Sequence, residues 1–259
     1  MRLALLLAVA MLLAASAAQA ADGYHAKFTV TMDFSDEFYK LAAKQGEEGA
    51  ELDPESLRME PVSGMIYISD SAVRLDMNVP SGVMSAIVRQ PEQLVYLINH
   101  ETRTAWQVDM AKYTGRYQEA GLPVLNLEQV FMHWDDVLAQ LKQLKGLTYK
   151  DLGRQTVNGV ACHGLRYSGR MEDVLKSGSV SVLPGLAPFE DLEGPWRGEF
   201  WLDERSGLPM KMHSFLLGID YLWEITDLQA WDVSPVLFDV PRGYRVAQYD
   251  FMYMPGQIN

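Results

Sequence analysis

The clearest alternation of apolar and polar positions lies in residues 24–34. The apolar positions there are Ala26, Phe28, Val30, Met32 and Phe34. Because successive side chains of a strand point to opposite faces, this pattern predicts a strand with one buried face. Five further alternating or apolar segments, separated by turn residues, lie at 62–69, 73–79, 83–89, 94–98 and 104–110. Short strands at such close spacing are typical of an antiparallel meander.

Hairpin patterns dominate the second half of the chain. Residues 148–155 and 160–168 flank Asn158-Gly159, a pair that favours a two-residue turn. Residues 196–217 have the pattern of strand, tight turn and strand, and residues 219–226 alternate again. We therefore expect a broad antiparallel sheet with an aromatic and aliphatic inner face, which residues 238–244 would close.

One long amphipathic helix is predicted at residues 126–145. Its apolar positions, Trp134 and Leu138 among them, fall within an arc of about 140° at helical spacing. An arc of that width is suited to cover a sheet face or the mouth of a cavity. Ordinary packing of a helix on a sheet would produce the same pattern, so both interpretations stay open.

Three other segments break the strand pattern. Residues 36–44 predict a short helix, and residues 46–61 a polar loop. Residues 169–195 are rich in Ser, Gly and Pro with apolar residues between them, and residues 171–176 have the pattern of one or two helical turns. We interpret 169–195 as a flap that folds over something apolar, with a disordered insertion as the alternative.

The first residues predict the compartment. An apolar run follows Arg2 and ends at Ala18-Gln19-Ala20, a small-x-small site typical of signal-peptide cleavage. We therefore expect residues 1–20 to be a signal peptide and residues 21–259 to form a single domain with a short aromatic tail at 245–259. No cysteine lies near Ala20 to accept a lipid anchor. The expected location is the bacterial periplasm.

The charge balance excludes one class of partner. The formal net charge is −12, and loss of residues 1–20 would make it −13 because Arg2 would be removed. Nucleic acid needs a positive surface, so we do not expect it as a partner. Lipid binding inside an apolar cavity does not depend on charge and stays compatible with this composition. A monomer is expected.

No catalytic or metal-binding motif is present in the sequence. None of the five histidines has a ligand-type spacing, and Cys162, the single cysteine, is expected to be buried on a strand. We therefore predict that the protein is not an enzyme and has no cofactor and no metal. Met210 and Met212 are spaced to share one strand face, which suits Cu(I) or, more simply, an adaptable apolar surface.

Three segments resemble one known superfamily. They are residues 68–76 (ISDSAVRLD), 200–209 (FWLDERSGLP) and 237–244 (LFDVPRGY). Together with the order of predicted elements over residues 24–245, they are similar to the LolA-like periplasmic lipoprotein-localisation carriers. The resemblance implies a mainly β fold of the α+β class: an open antiparallel sheet, or half-barrel, with helices covering its concave face.

The resemblance also implies a function, because the apolar concavity of that superfamily binds acyl chains. The chain departs from the pattern in residues 46–61 and 169–195 and in the tail after Tyr244. We predict a periplasmic carrier for lipid or acylated, lipoprotein-like cargo, with a lipoprotein or another envelope protein as a further candidate partner. The residues expected to line the cavity are Phe28, Val30, Leu75, Met77, Trp106, Trp134, Leu138, Phe200, Tyr221 and Trp223.

Two other classes of function stay open. The first is a non-enzymatic structural or adaptor protein with a filled core, which would bind a protein partner through its surface. The second is an enzyme with a scattered active site, which would need His and carboxylate side chains clustered in a cleft.

Overall fold

Twelve strands of one sheet form the structure of the described residues. In this computed structural model the residues described are 23–36, 38, 60–79, 82–112, 139, 142, 145–176, 193–216 and 218–249. The strands are β1 Tyr24–Phe34, β2 Val62–Ile68, β3 Ala72–Val79, β4 Gly82–Arg89, β5 Leu94–Asn99, β6 Thr104–Asp109, β7 Leu147–Val157, β8 Val160–Arg170, β9 Pro195–Asp203, β10 Pro209–Leu216, β11 Ile219–Ala230 and β12 Arg245–Gln248.

The sheet is open. Its strand order is β12-β6-β5-β4-β3-β2-β1-β11-β10-β9-β8-β7, and the two edge strands, β12 and β7, do not pair with each other. The predicted mainly β, open sheet is therefore confirmed, and every described strand pair in it is antiparallel except β12 with β6. The division of the whole chain into domains stays a prediction.

Strand β1 joins the two halves of the sheet. It pairs with β2 on one side and with β11 on the other, both antiparallel. The meander β2–β6 and the hairpins β7–β11 thereby share one continuous sheet. The alternation in β1 that the sequence shows is observed, since Ala26, Phe28 and Val30 are buried and Lys27 and Thr29 are exposed.

The predicted turn at Asn158-Gly159 is confirmed. Asn158 has φ of 49° and Gly159 has φ of 84°, so both residues adopt the left-handed conformation. A two-residue hairpin turn of this kind matches the right-handed twist of the flanking strands. Asn158 also donates a side-chain hydrogen bond of 2.8 Å to the carbonyl oxygen of Ile225.

The prediction that residues 238–244 close the sheet is wrong. That segment begins with the end of a 3-10 helix, Pro235–Phe238, and continues through a turn. Pro241 and Gly243 interrupt any regular ladder there. The sheet ends instead with β12, which pairs with β6 in parallel, the single parallel pair among the described strands.

Little of the predicted helices lies in the described part of the chain. Ala139 and Lys142 of the predicted helix 126–145 are helical and exposed, and Asp36 and Phe38 of the helix predicted at 36–44 are helical. Lys145 lies in a turn, and the other positions of both predicted helices are not described, so helices over a concave face are not confirmed. The short helix predicted at 171–176 is observed as α1, Met171–Lys176. Among the described residues, no helix has both the length and the hydropathy to cross a membrane.

Candidate apolar binding face

One face of the sheet is apolar along a row that crosses seven strands. We call this the inner face, and the opposite one the outer face. The row follows the strand register and contains Ala26, Ile66, Leu75, Ala86, Leu97, Trp106 and Ala247. Directly opposed residues of paired strands point to the same side, so these side chains share the inner face.

A second apolar row crosses the other half of the sheet. Its members are Val62, Val30, Trp223, Met212, Phe200 and Leu165. At its centre Trp223 stacks on Phe28, with ring centroids 5.1 Å apart and planes 11° from parallel. The indole Nε1 of Trp223 donates a hydrogen bond of 3.1 Å to the carbonyl oxygen of Pro209. This bond fixes the ring while it satisfies its only polar atom.

Seven of the ten residues predicted to line the cavity lie in one core cluster on this face. They are Phe28, Val30, Leu75, Met77, Phe200, Tyr221 and Trp223. Their side chains are between 0% and 8% exposed. Trp106 is half-buried and belongs to the inner face by register, opposite Leu97. Trp134 and Leu138 lie outside the described residues.

Hydroxyl groups enter the inner face along one row. The row runs through Met32, Tyr221, Ser214, Gly198 and Tyr167. The Tyr167 hydroxyl and the Ser214 hydroxyl are 2.8 Å apart and hydrogen-bonded. Tyr167 reaches Ser214 across Gly198, where an added Cβ would lie 2.5 Å from the tyrosine hydroxyl. The absence of a side chain at Gly198 is therefore what permits this bond.

The hydroxyl of Tyr221 has no hydrogen-bond partner among the described residues, although it is fully buried. The Tyr221 side chain is 8% exposed. Burial raises the pKa of Tyr221 above its usual value, with no contribution from a charged neighbour in the described part of the chain. Tyr221 is therefore a protonated donor on an apolar face. An unpaired buried hydroxyl destabilises a fold, so its presence requires an explanation.

The outer face is polar over strands β8–β11. Its charged side chains pair with one another, and Arg197 lies 4.7 Å over the ring centroid of Phe215. The ion pairs are Arg166–Glu199 at 2.9 Å and Lys211–Glu224 at 3.0 Å, and His213 is hydrogen-bonded to Asp220 at 2.7 Å. All six side chains are at least partly exposed, so this half of the outer face is suited to contact water.

Over strands β3–β6 the outer face is covered by the chain itself. Val233 and Phe238, from the segment between β11 and β12, pack in a second apolar cluster against Ala72, Ile87 and Ile98. The sheet therefore has a smaller core on this side. This cover explains why strands of the meander carry apolar residues on both of their faces.

Sequence reasoning missed a partly buried polar network beneath that cover. Ser85 Oγ lies 2.5 Å from Asp76 Oδ1 and 2.6 Å from His100 Nε2. His100 Nδ1 lies 2.9 Å from the Tyr244 hydroxyl, and Arg74 donates to Asp76 at 2.7 Å. Ser85 and Tyr244 are far apart in sequence, so no motif spacing could reveal this group.

The contact of Ser85 with His100 is not that of a nucleophile with its base. The Ser85 hydroxyl donates its one proton to Asp76 Oδ1, so it can only accept from His100. His100 Nε2 then donates to Ser85, and Nδ1 accepts from Tyr244. Ser85 is also fully buried. Burial, and next the positive charge of Arg74, lower the pKa of His100, which keeps the ring neutral. The network holds the covering segment in place.

Other candidate reactive groups also lie in the core. Cys162 is fully buried, as predicted, and burial raises the pKa of its thiol to about 11. Met210 is fully buried and Met212 packs against the main core cluster, which favours the apolar interpretation of this pair. Within the described part of the chain, no three His, Cys, Asp or Glu side chains are grouped as metal ligands.

Comparison with known proteins gives structural similarities alone. No protein-family model matches the sequence, and no curated protein matches it. Among solved structures the chain is similar to an uncharacterised conserved protein from Thermus thermophilus, with 8% identity, TM-score 0.45, and coverage of 93% of this chain and 99% of the other.

Two other neighbours carry more informative names. The MucA/MucB complex of Pseudomonas aeruginosa matches with 14% identity, TM-score 0.43, and coverage of 95% of this chain and 65% of that one. A LolA superfamily protein from Nitrosomonas europaea matches with 7% identity, TM-score 0.36, and coverage of 90% and 97%. The superfamily named by the sequence resemblance is thus present among the neighbours. Because these TM-scores are low, the functional proposals rest on the chain's own residues.

Proposed function

We propose that the inner face binds the acyl chain of a lipid or of a lipid-modified protein, and that the protein is a carrier in the periplasm. The observation that supports this most is the unbroken apolar row from Ala26 in β1 to Ala247 in β12, next to a polar or self-covered outer face. Such a division gives the sheet one surface for an apolar ligand and one for water.

The energetics of such binding need no charged partner. Burial of an acyl chain contributes about 0.8 kcal/mol for each CH₂ removed from water. Five side chains on the inner face are half-buried and therefore accessible to a ligand. These are Met32, Met84, Leu97, Trp106 and Met212. Methionine side chains adapt to chains of different length and shape.

Binding rather than catalysis is the proposed activity. Ser85, whose hydroxyl contacts His100, and the thiol of Cys162 are both fully buried. The Ser85 proton is directed to Asp76, and the Cys162 thiol stays protonated because burial raises its pKa.

A second candidate is an adaptor with a filled core that binds an envelope protein. The observation that favours it is the low exposure of the seven core residues on the inner face, between 0% and 8%. In that case the apolar face is a folding core, and the partner binds elsewhere. The two candidates differ in whether a hydrophobic probe binds next to Trp106.

A pair of matched variants tests the carrier proposal. Trp106→Gln changes a half-buried tryptophan on the inner face, and Trp231→Gln changes a tryptophan, 43% exposed, that packs on the outer-face residues His25 and Tyr67. We expect Trp106→Gln to weaken binding of a fluorescent fatty-acyl probe about tenfold, through lost apolar contact area, and Trp231→Gln to leave it unchanged.

Two results would count against the carrier. One is wild-type protein that binds no probe. The other is equal weakening by both variants with unchanged thermal unfolding, which would mean that the probe does not bind specifically at the inner face. A thermal unfolding curve for each variant separates that case from a general loss of stability.

A further inference from the structure

Two buried tyrosines of the inner face, Tyr221 and Tyr167, differ in their hydrogen bonding. The hydroxyl of Tyr221 is fully buried and has no partner among the described residues. The comparable tyrosine in the same row, Tyr167, has its hydroxyl bonded to Ser214. Within the described part of the chain, the fold thus satisfies one of the two hydroxyls and leaves the other as a donor for a ligand.

The surroundings of Tyr221 define what it can bind. Its direct neighbours across the strands are Met32 in β1 and Ser214 in β10. No hydrogen bond joins Ser214, which is bonded to Tyr167, to the Tyr221 hydroxyl. No charged side chain of the described residues contributes to the electrostatics of Tyr221. An anionic acceptor such as a carboxylate would therefore be buried without a counter-charge, which is costly.

A neutral acceptor has no such cost. The carbonyl oxygen of an ester accepts a hydrogen bond, carries no charge and is attached to an acyl chain that would lie along the apolar rows. Met32 and Ser214, the cross-strand neighbours of Tyr221, are half-buried, so both side chains are partly exposed to solvent. Methionine is flexible enough to move aside for a ligand.

We propose that Tyr221 donates a hydrogen bond to the ester carbonyl of a fatty-acyl ester bound on the inner face. This inference rests on the proposed function and adds the linkage that the site recognises. The ligand class is therefore acyl esters rather than free fatty acids or hydrocarbons. Phosphoglycerides and the acyl groups of lipoproteins share this linkage.

The first test uses two probes that differ in the carbonyl group. Methyl hexadecanoate carries the ester carbonyl, and octadecane has nearly the same length without any hydrogen-bond acceptor. We expect the ratio of the ester affinity to the octadecane affinity to be about 5 to 30 times larger in wild type than in Tyr221→Phe, the effect of satisfying one buried donor.

A control and the possible outcomes keep the two proposals separate. Tyr96→Phe removes a tyrosine hydroxyl on the outer face and should leave the ester preference unchanged. An equal ratio of ester to octadecane affinity in wild type and in Tyr221→Phe overturns the role of Tyr221 and leaves the carrier proposal intact. Binding of neither probe overturns the carrier proposal itself.

Competition identifies the source of the ester. The bound methyl ester is displaced with a diacyl phosphoglyceride or with a synthetic peptide that carries a diacylglyceryl group on an N-terminal cysteine. The stronger competitor is the natural class, and displacement by either supports the inference. Failure of both to compete contradicts it.

An independent test measures stability without ligand. Tyr221→Phe removes an unsatisfied hydroxyl and should raise Tm by about 2 to 6 °C. Tyr167→Phe removes a satisfied one and leaves Ser214 without this bond, so it should lower Tm. A lower Tm in Tyr221→Phe would show that the fold itself satisfies this hydroxyl, which would overturn the inference.

Discussion

At the scale of single residues, the inner face contains apolar side chains and a few positions where close packing restricts which side chain fits. Gly198 is one of these. The Tyr167 ring stacks on Phe200, with centroids 5.2 Å apart, and its hydroxyl passes over Gly198 to reach Ser214. Burial raises the pKa of Tyr167 to about 12, so this hydroxyl stays protonated.

Gly198→Ala should therefore destabilise the protein. The new Cβ would lie 2.4 Å from the carbonyl oxygen of His213 and 2.5 Å from the Tyr167 hydroxyl. Since the first of these atoms is backbone, a strand has to shift, and we expect a loss of about 1 to 3 kcal/mol in the free energy of unfolding. Urea unfolding measures it. An unchanged midpoint would show that the β9–β10 pair has more space than this geometry gives.

At the scale of elements, the segment between β11 and β12 is held on the outer face by both apolar and polar contacts. Phe238 packs in the second apolar cluster, on the outer face. Arg74 donates a hydrogen bond of 2.8 Å to the carbonyl oxygen of Leu237, and the Tyr244 hydroxyl is hydrogen-bonded to His100. From there the chain continues directly into β12, whose first residue donates to the carbonyl oxygen of Arg103 at 2.9 Å. The network around His100 thus positions the edge strand.

This arrangement predicts a pH dependence of stability. The folded-state pKa of His100 lies below its ordinary value of 6.5, chiefly because of burial. Below pH 6.5 the unfolded chain binds a proton that the folded protein does not, so stability decreases as the pH falls. Above pH 6.5 this contribution to stability is fully present.

The variant His100→Gln keeps an amide that can donate and accept but removes the titration. Urea unfolding at pH 5.5 and pH 7.5 compares it with wild type, and the titrating groups that both proteins share cancel in the comparison. Wild type should lose more stability than the variant between pH 7.5 and pH 5.5. An equal loss in both proteins would place the titration elsewhere.

Strands and turns could be predicted from the sequence because their patterns are local, whereas the pairing of segments that are distant in sequence could not. Alternation in β1 and the Asn158-Gly159 turn are local signals, and both are confirmed. The four residues of β12 are too few and too exposed to alternate visibly. Its parallel partner β6 is distant in sequence, so no local pattern pairs them.

The same limit applies to the candidate site. Alternation placed Phe28, Leu75 and Trp223 on one face, because a strand's period of two fixes which side chains share a side. It did not show that Tyr221 and Tyr167 differ in hydrogen bonding. That difference depends on which tyrosine hydroxyl forms the hydrogen bond with Ser214 on another strand. The three-dimensional structure shows this, and the sequence does not.

At the scale of the whole molecule, the described strands form one open sheet with two unlike faces. The inner face is apolar from β6 to β8, and the outer face is partly ion-paired and partly covered by the chain. The formal net charge of −12 is compatible with a ligand that binds through apolar area. Our central claim is that the inner face holds an acyl chain.

Native mass spectrometry with lipid extraction, on protein purified from cells that express the full chain, tests that claim most directly. We predict adducts of lipid mass on wild-type protein, which diminish in Trp106→Gln and persist in Trp231→Gln. A single apo mass, unchanged after incubation with phosphoglyceride or with an acylated peptide, would contradict the claim. The inner face would then be a filled core, and the adaptor function would take the carrier's place.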